Sequence, residues 1–282
     1  MTNITEAASQ ASRILKDADI PNHRMEARSL LSLALGKDTT FLIAHNDDEL
    51  TDNELKLFLD LVARRANREP FQHIAGKQEF YGLDFKVSSA VLIPRPETEL
   101  IVEAGIEILS EKTEPRFCEI GVGSGCISIS ILKNSEDAQG VATDVSAAAI
   151  DVAELNARKH GVNDRLDLKS SDLFAKLGHT RFDLIVSNPP YIRAGDFDDL
   201  QPEVRDHDPR IALTDEKDGL SIIEGIAKDS PKHLREDGWL LIEFGIDQSG
   251  AVEQLFSSRI WTAVTFVNDL QGIPRMVRAQ IR

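Results

Sequence analysis

The chain has 282 residues, 41% apolar and 28% charged, with 32 Lys and Arg against 47 Asp and Glu for a formal charge of −15. That length can bury a sizeable core and predicts two domains. The acidic balance weighs against tight, non-specific binding of DNA or RNA, whose phosphates need cations, so no direct nucleic-acid binding is expected.

The start, Met1-Thr2-Asn3-Ile4-Thr5-Glu6, lacks the basic and apolar regions of a signal peptide. No apolar run approaches the roughly 18–20 residues of a membrane span. A cytoplasmic protein without membrane attachment is expected, and a monomer. Cys118 and Cys126 sit among apolar residues with no further cysteine in the chain. They read as reduced, buried thiols, with neither a disulfide nor a metal site.

Residues 1–70 read as a helical domain. Ala7, Ala8, Ala11, Ile14 and Leu15 form an i, i+3, i+4 stripe that Pro21 closes. Met25 to Leu35 makes a second helix ended by Gly36. Thr51 with Glu54 has the spacing of a capping box, and the helix it opens carries Leu55, Leu57, Phe58, Leu61 and Val62. Its basic end, Arg64, Arg65 and Arg68, complements the helix dipole, with contact to an acidic partner as the weaker reading.

Residues 71–94 read as a β-hairpin linker, because Gln78–Val87 alternates loosely around Tyr81-Gly82. Next, Pro94 and Pro96 impose an extended path, and Glu97–Leu109 reads as an amphipathic helix. Arg95, held between the prolines, has two readings: a surface ion pair, or a group lining a cofactor entrance.

Residues 95–282 alternate helix and strand. Strands are predicted over 116–120, 140–143, 166–169, 182–186 and 239–244, and a closing antiparallel hairpin over 261–267 and 276–281. Short connections between β and α imply a doubly wound, Rossmann-like, largely parallel sheet with right-handed crossovers.

Gly121-Val122-Gly123-Ser124-Gly125 joins the first of these strands to a helix. Such a turn lets backbone approach a ligand and aims helix N–H groups at negative charge. The next strand ends in Asp144, whose carboxylate can accept from both hydroxyls of a ribose. The third ends at Asp172-Leu173, a carboxylate for an adenine amine and an apolar cover for its ring. Glu119, at the strand end before the turn, can face a cationic amino group. Together these describe an adenosine with an amino-acid tail, although the spacing of Gly125 and Asp144 also fits NAD.

The fourth strand ends in Asn188-Pro189-Pro190-Tyr191. Two prolines cannot extend a sheet ladder and push Asn188 into an extended conformation, so the corner is stiff. An Asn amide oxygen and a backbone carbonyl held apart can grip a planar –NH2, with the aromatic ring of Tyr191 against the group that carries it. The target is a primary amide or an exocyclic base amine, which disfavours NAD chemistry. The plain alternative is a structural turn. No His or carboxylate adjoins the corner in sequence, so the amide proton is expected to leave to water.

These residues resemble the class I S-adenosylmethionine-dependent methyltransferases. More narrowly they are similar to the family that methylates a glutamine side-chain amide in peptide chain release factors. The resemblance rests on Val91–Glu99 (VLIPRPETE), Gly121–Gly125, Asp144-Val145-Ser146, Asn156-Ala157, Ser171–Phe174, Ser187–Ile192 (SNPPYI), Asp218-Gly219-Leu220 and Glu243-Phe244-Gly245. It implies S-adenosyl-L-methionine as cofactor, with Gly121, Val122, Gly123, Ser124 and Gly125 at its methionine end. Asp144 would hold its ribose and Asp172 with Leu173 its adenine. Asn188 would lie between cofactor and substrate, and Asn188, Pro189, Pro190 and Tyr191 would hold the glutamine amide, with Asn188, Pro189 and Tyr191 as the catalytic set. Release factors would be the protein partners, docked by the helical domain. Glu119 stands where the family usually has Asp, Val122 where it has Thr, and His207-Asp208-Pro209-Arg210 where it reads Glu-Pro-Arg. The corner is shared with amino-methyltransferases of nucleic acids, so an N6-adenine methyltransferase of DNA or RNA is the alternative, disfavoured by the acidic charge.

Overall fold

The computed structural model describes residues 2–282, which fall into two compact units. The first gathers the chain up to Gly76 together with Gln201–His207, and the second holds Lys77–Leu200 and Asp208–Arg282.

In the first unit, α1 (Ile4–Asp17), α2 (His23–Leu35), α3 (Thr39–Ala44), α4 (Asp52–Ala66) and α5 (Phe71–Ala75) follow one another. The anticipated punctuation is present. Gly36 takes φ +62° at the end of α2, and Thr51 and Glu54 cap α4 reciprocally. The Ala7, Ala11 and Leu15 stripe is buried with Leu30, Leu31, Phe58 and Val62. The basic end of α4 is used within this unit. Arg65, only 5% exposed, pairs with Glu26 and with Glu203 of the Gln201–His207 segment, and Arg64 pairs with Glu69.

The second unit runs β1 (Lys77–Phe80), β2 (Leu83–Lys86), α6 (Glu99–Ser110), β3 (Arg116–Ile120), α7 (Cys126–Asn134), β4 (Gln139–Asp144), α8 (Ala147–Lys159), β5 (Leu166–Ser170) and β6 (Phe182–Ser187). After the one-turn α9 (Pro202–Arg205), which belongs to the first unit, come α10 (Ser221–Asp229), β7 (Leu234–Glu243), α11 (Ser249–Glu253), β8 (Trp261–Asn268) and β9 (Pro274–Ile281). Tyr81 and Gly82, at φ +51° and +73°, make the hairpin turn. The strands are shorter than residues 71–94, because Phe71–Ala75 closes as a helical turn and Phe80 and Phe85 sink into the core of the second unit.

Among the described residues the large sheet has seven strands in the order β5-β4-β3-β6-β7-β9-β8. β5, β4, β3, β6 and β7 are parallel, and β9 runs antiparallel to β7 and β8. Alternate side chains feed opposite faces. Phe117, Val186 and Leu241 join the helices α6 and α7 on one side, while Cys118, Ile185, Leu240 and Ile242 join α10 and α11 on the other. β6 is buried along its whole length, as expected of a central strand. The chain leaves β3 toward β4 and β5 and returns to β6 on the other flank. The C-terminal ends of β3 and β6 therefore flank the switch point of the sheet, where doubly wound folds bind ligands. Among the described residues no helix is long and apolar enough to cross a membrane.

Candidate active site

A cavity of about 440 Å³ opens at that switch point, within the ~300–1,000 Å³ usual for small-molecule sites. The glycine turn, the ends of β4 and β5, the Val91–Thr98 segment and the corner after β6 supply its walls. Glu119, Gly121, Val122, Gly123, Ser124, Asp144, Asp172, Leu173, Asn188, Pro189 and Pro190 all line it. Most of the residues singled out in the sequence, from four separate stretches, are thus brought together.

Gly125 and Tyr191 are placed otherwise. Gly125 (φ +81°) is set against α7 and α8, where an added Cβ would lie 2.9 Å from Ile129 and 3.3 Å from Ala153, so close packing explains it. Tyr191 is turned from the cavity. Its ring packs with the core beside β7, and its hydroxyl donates to Glu243 Oε1 at 3.2 Å. Burial and that carboxylate push its phenol above the usual range.

The glycine turn spends its N–H groups on the chain itself. Gly121 and Val122 donate to the carbonyl of Thr143, and Gly123 donates to Asp144 Oδ2 at 3.0 Å. Ser146 donates to Oδ1 at 2.9 Å. Each carboxylate oxygen of Asp144 keeps a lone pair for a further donor. Gly121 and Gly123 have positive φ, and an added Cβ would meet nothing closer than 4.0 Å, so backbone conformation and access for a ligand, more than crowding, call for glycine there. The N-terminus of α7 is occupied by the chain's own Glu119, which accepts from the Ser128 amide at 3.0 Å and from its hydroxyl. Burial still pushes the Glu119 carboxyl up to about 8, against those hydrogen bonds, with Asp144 adding repulsion. Asn156, fully buried, ties the hairpin to the turn by donating to Lys86 and Ser124 carbonyls at 3.0 and 2.8 Å. Leu173 adopts φ +42°, a left-handed conformation costly for a branched residue, and this places it on the cavity wall.

The raised Glu119 predicts a pH effect. A carboxyl whose folded value lies above its unfolded one stabilises the fold at low pH, and that stability is lost as pH rises through the folded value. Thermal unfolding of the ligand-free protein should occur at lower temperature as pH rises from about 5 toward 8, with Glu243 contributing up to about 7. Glu119→Gln should flatten that slope in melts across the same window. An unchanged slope would show that Glu119 is already ionised in the free protein.

The corner is held from three sides. Ser187 donates to the Ile120 carbonyl at 2.7 Å and fixes the end of β6 to β3. Asn188 Nδ2 donates to Thr98 Oγ1 at 3.0 Å, and Thr98 donates to Glu243 Oε2 at 2.7 Å. The carbonyl of Tyr191 accepts from Gln248 Nε2 at 3.0 Å. Gly219 passes so near that carbonyl that an added Cβ would lie 2.2 Å away. Its position is set by Asp215, which accepts from the amides of Lys217, Gly219 and Ser221 at 2.9 Å each. Arg95 lines the cavity and pairs at 2.9 Å with Asp208, whose side chain is buried, so the ion pair is not the surface one expected.

Thr98, Glu243, Gln248 and Asp215 carry no role in the sequence reading. One signal was available for Glu243: an acid closing the apolar run Leu240-Leu241-Ile242 is expected to be buried and partnered.

Two family models match the chain, the PrmC N-terminal domain over residues 6–76 and the Methyltransferase small domain over residues 99–201. A release factor glutamine methyltransferase of Geobacter sulfurreducens is 44% identical, covering 95% of this chain and 93% of its own. One from Koribacter versatilis is 38% identical and covers 97% of both. A solved methyltransferase of Pyrococcus furiosus shares the fold, with a TM-score of 0.54 and 17% identity over 78% of this chain and 98% of that one. With identity of this order along nearly its full length, the chain belongs to the release factor glutamine methyltransferase family.

Proposed function

We propose that the protein transfers a methyl group from S-adenosylmethionine to the side-chain amide nitrogen of a glutamine in peptide chain release factors. The observation that carries this reading is an Asn188 amide on the wall of a cavity that also holds Asp144 and the glycine turn. An amide-gripping corner and a nucleoside-binding carboxylate then share one enclosure. Family membership supports the same substrate.

S-adenosylmethionine, when bound, supplies an electrophilic methyl group on sulfur. The residues present fit it. Asp144 has lone pairs left for a pair of ribose hydroxyls, Leu173 gives an apolar wall for a base, and Glu119 offers a carboxyl to an amino group. Meeting that cation lowers the Glu119 value and ionises it.

The amide nitrogen of glutamine is a poor nucleophile because its lone pair is delocalised. Asn188 Oδ1 and the Pro189 carbonyl would accept hydrogen bonds from its two N–H groups, favouring a more pyramidal nitrogen as the N–CH3 bond forms and the methyl–sulfur bond breaks, with one amide proton then leaving to water. The corner holds the nitrogen in place, and alignment of this kind is worth several kcal/mol. Tyr191 contributes by tying the corner to Glu243. The helical unit is assigned the docking of the release factor.

The test is methyl-labelled donor offered separately to purified release factor and to nucleic acid. We expect label in the release factor only, and mass spectrometry should place one added methyl on a glutamine side chain. Label in DNA or RNA alone would establish the adenine-amine alternative.

A further inference from the structure

One buried carboxylate stands behind both side chains of the corner. Glu243, 3% exposed at the end of β7, accepts Thr98 Oγ1–H on Oε2 and Tyr191 O–H on Oε1. Thr98 is 2% exposed, and its hydroxyl oxygen accepts Asn188 Nδ2–H. A hydroxyl has a single proton to give. While Thr98 gives it to Glu243, only its lone pairs face Asn188, so the amide must turn its nitrogen inward and its oxygen toward the cavity.

We propose that Glu243 is a positioning residue which, through Thr98, sets the polarity of the Asn188 amide so that Oδ1 faces the substrate –NH2. The proposal rests on the reading of Asn188 as the amide grip. Glu243 does not line the cavity, whereas Thr98 and Asn188 do, so it acts through them and is no base for the substrate. An Asn188 amide turned the other way would point a donor at a donor.

The chain has a second polarity. A protonated Glu243 can donate to Thr98, which then donates to Asn188 Oδ1 and turns the nitrogen outward. Burial pushes the Glu243 carboxyl up to about 7. Thr98 and Tyr191 pull it down through their hydrogen bonds, Glu97 raises it, and Arg275 at the start of β9 lowers it. Cys126, at the start of α7, also faces it, with its own thiol raised chiefly by burial. The bound-state transfer rate should therefore fall as pH drops below about 7.

Glu243→Gln separates positioning from other roles. A glutamine amide can accept from one hydroxyl but must donate to the other, so it cannot accept from Thr98 and Tyr191 together. Single-turnover methyl transfer should fall about 30-fold, with KM for the release factor and Kd for the donor within about threefold. The pH dependence near neutrality should flatten. Thr98→Val should reproduce the loss and Thr98→Ser should avoid most of it. Loss in Thr98→Val, its absence in Thr98→Ser and a flattened pH dependence in Glu243→Gln together form a pattern that a lost base or a damaged fold would not give. A Thr98→Val enzyme at the wild-type rate, or a Glu243→Gln enzyme that keeps both the wild-type rate and its pH dependence, overturns the proposal. Asn188→Ala is measured alongside. If it alone transfers methyl normally, the grip reading has failed. If it is inactive while Glu243→Gln and Thr98→Val are normal, only the positioning role has.

Discussion

Asn188→Ala should lower single-turnover methyl transfer by about 10²–10³-fold, the usual effect of deleting one preorganised hydrogen-bonding group around a reacting centre. Donor affinity should stay within about threefold of wild type, because alanine keeps the backbone of the corner and leaves the far end of the cavity untouched. The physical reason is the isolation of this side chain from the rest of the turn. Its nitrogen is held by Thr98, and the two residues that follow it are prolines that cannot donate. Loss of kcat and kcat/KM in equal measure, read from single-turnover and steady-state rates, is the signature of an interaction made in the transition state. A parallel loss of donor affinity in calorimetric titration would instead place Asn188 in the donor subsite.

Asp144→Ala should raise the Kd for S-adenosylmethionine about 100-fold, from two charge-assisted hydrogen bonds to ribose hydroxyls. Its carboxylate also organises the turn, accepting from the amides of Gly123 and Ser146, so on the proposed reading the substitution both removes a ribose contact and loosens the turn. At saturating donor the transfer rate should return to within about threefold of wild type, since Asp144 lies away from the corner in sequence and in its hydrogen bonds. An unchanged Kd would show that the carboxylate serves the loop alone. A depressed rate at saturation would show that the turn also aligns the reacting groups.

Glu119, by contrast, registers first in stability. Its carboxyl is buried before any ligand arrives, and the cost of ionising it there appears in the folding equilibrium.

Features that depend on near neighbours were legible in the residues alone. Gly36 ends α2, Thr51 and Glu54 open α4, Tyr81-Gly82 turns the hairpin, and Phe182–Ser187 before Asn188 is a buried strand. Each follows from steric or hydrogen-bonding rules that act over a few residues. Asp144 ends β4 and Asn188 directly follows β6, while Asp172 lies two residues past the end of β5, and a parallel sheet gathers such ends along one edge. Which way the side chains at that edge turn depends on long-range packing. Glu243 is 145 residues from Thr98 and 52 from Tyr191, and no local period relates them. The order of β3, β6 and β7 in the sheet places their ends side by side, and burial then requires the carboxylate to find donors. Tyr191 supplies one, and so is drawn away from the cavity its position in the motif suggested, while Gly125 is claimed by the packing of α7 on α8. Local chemistry named the groups, and long-range packing chose their partners.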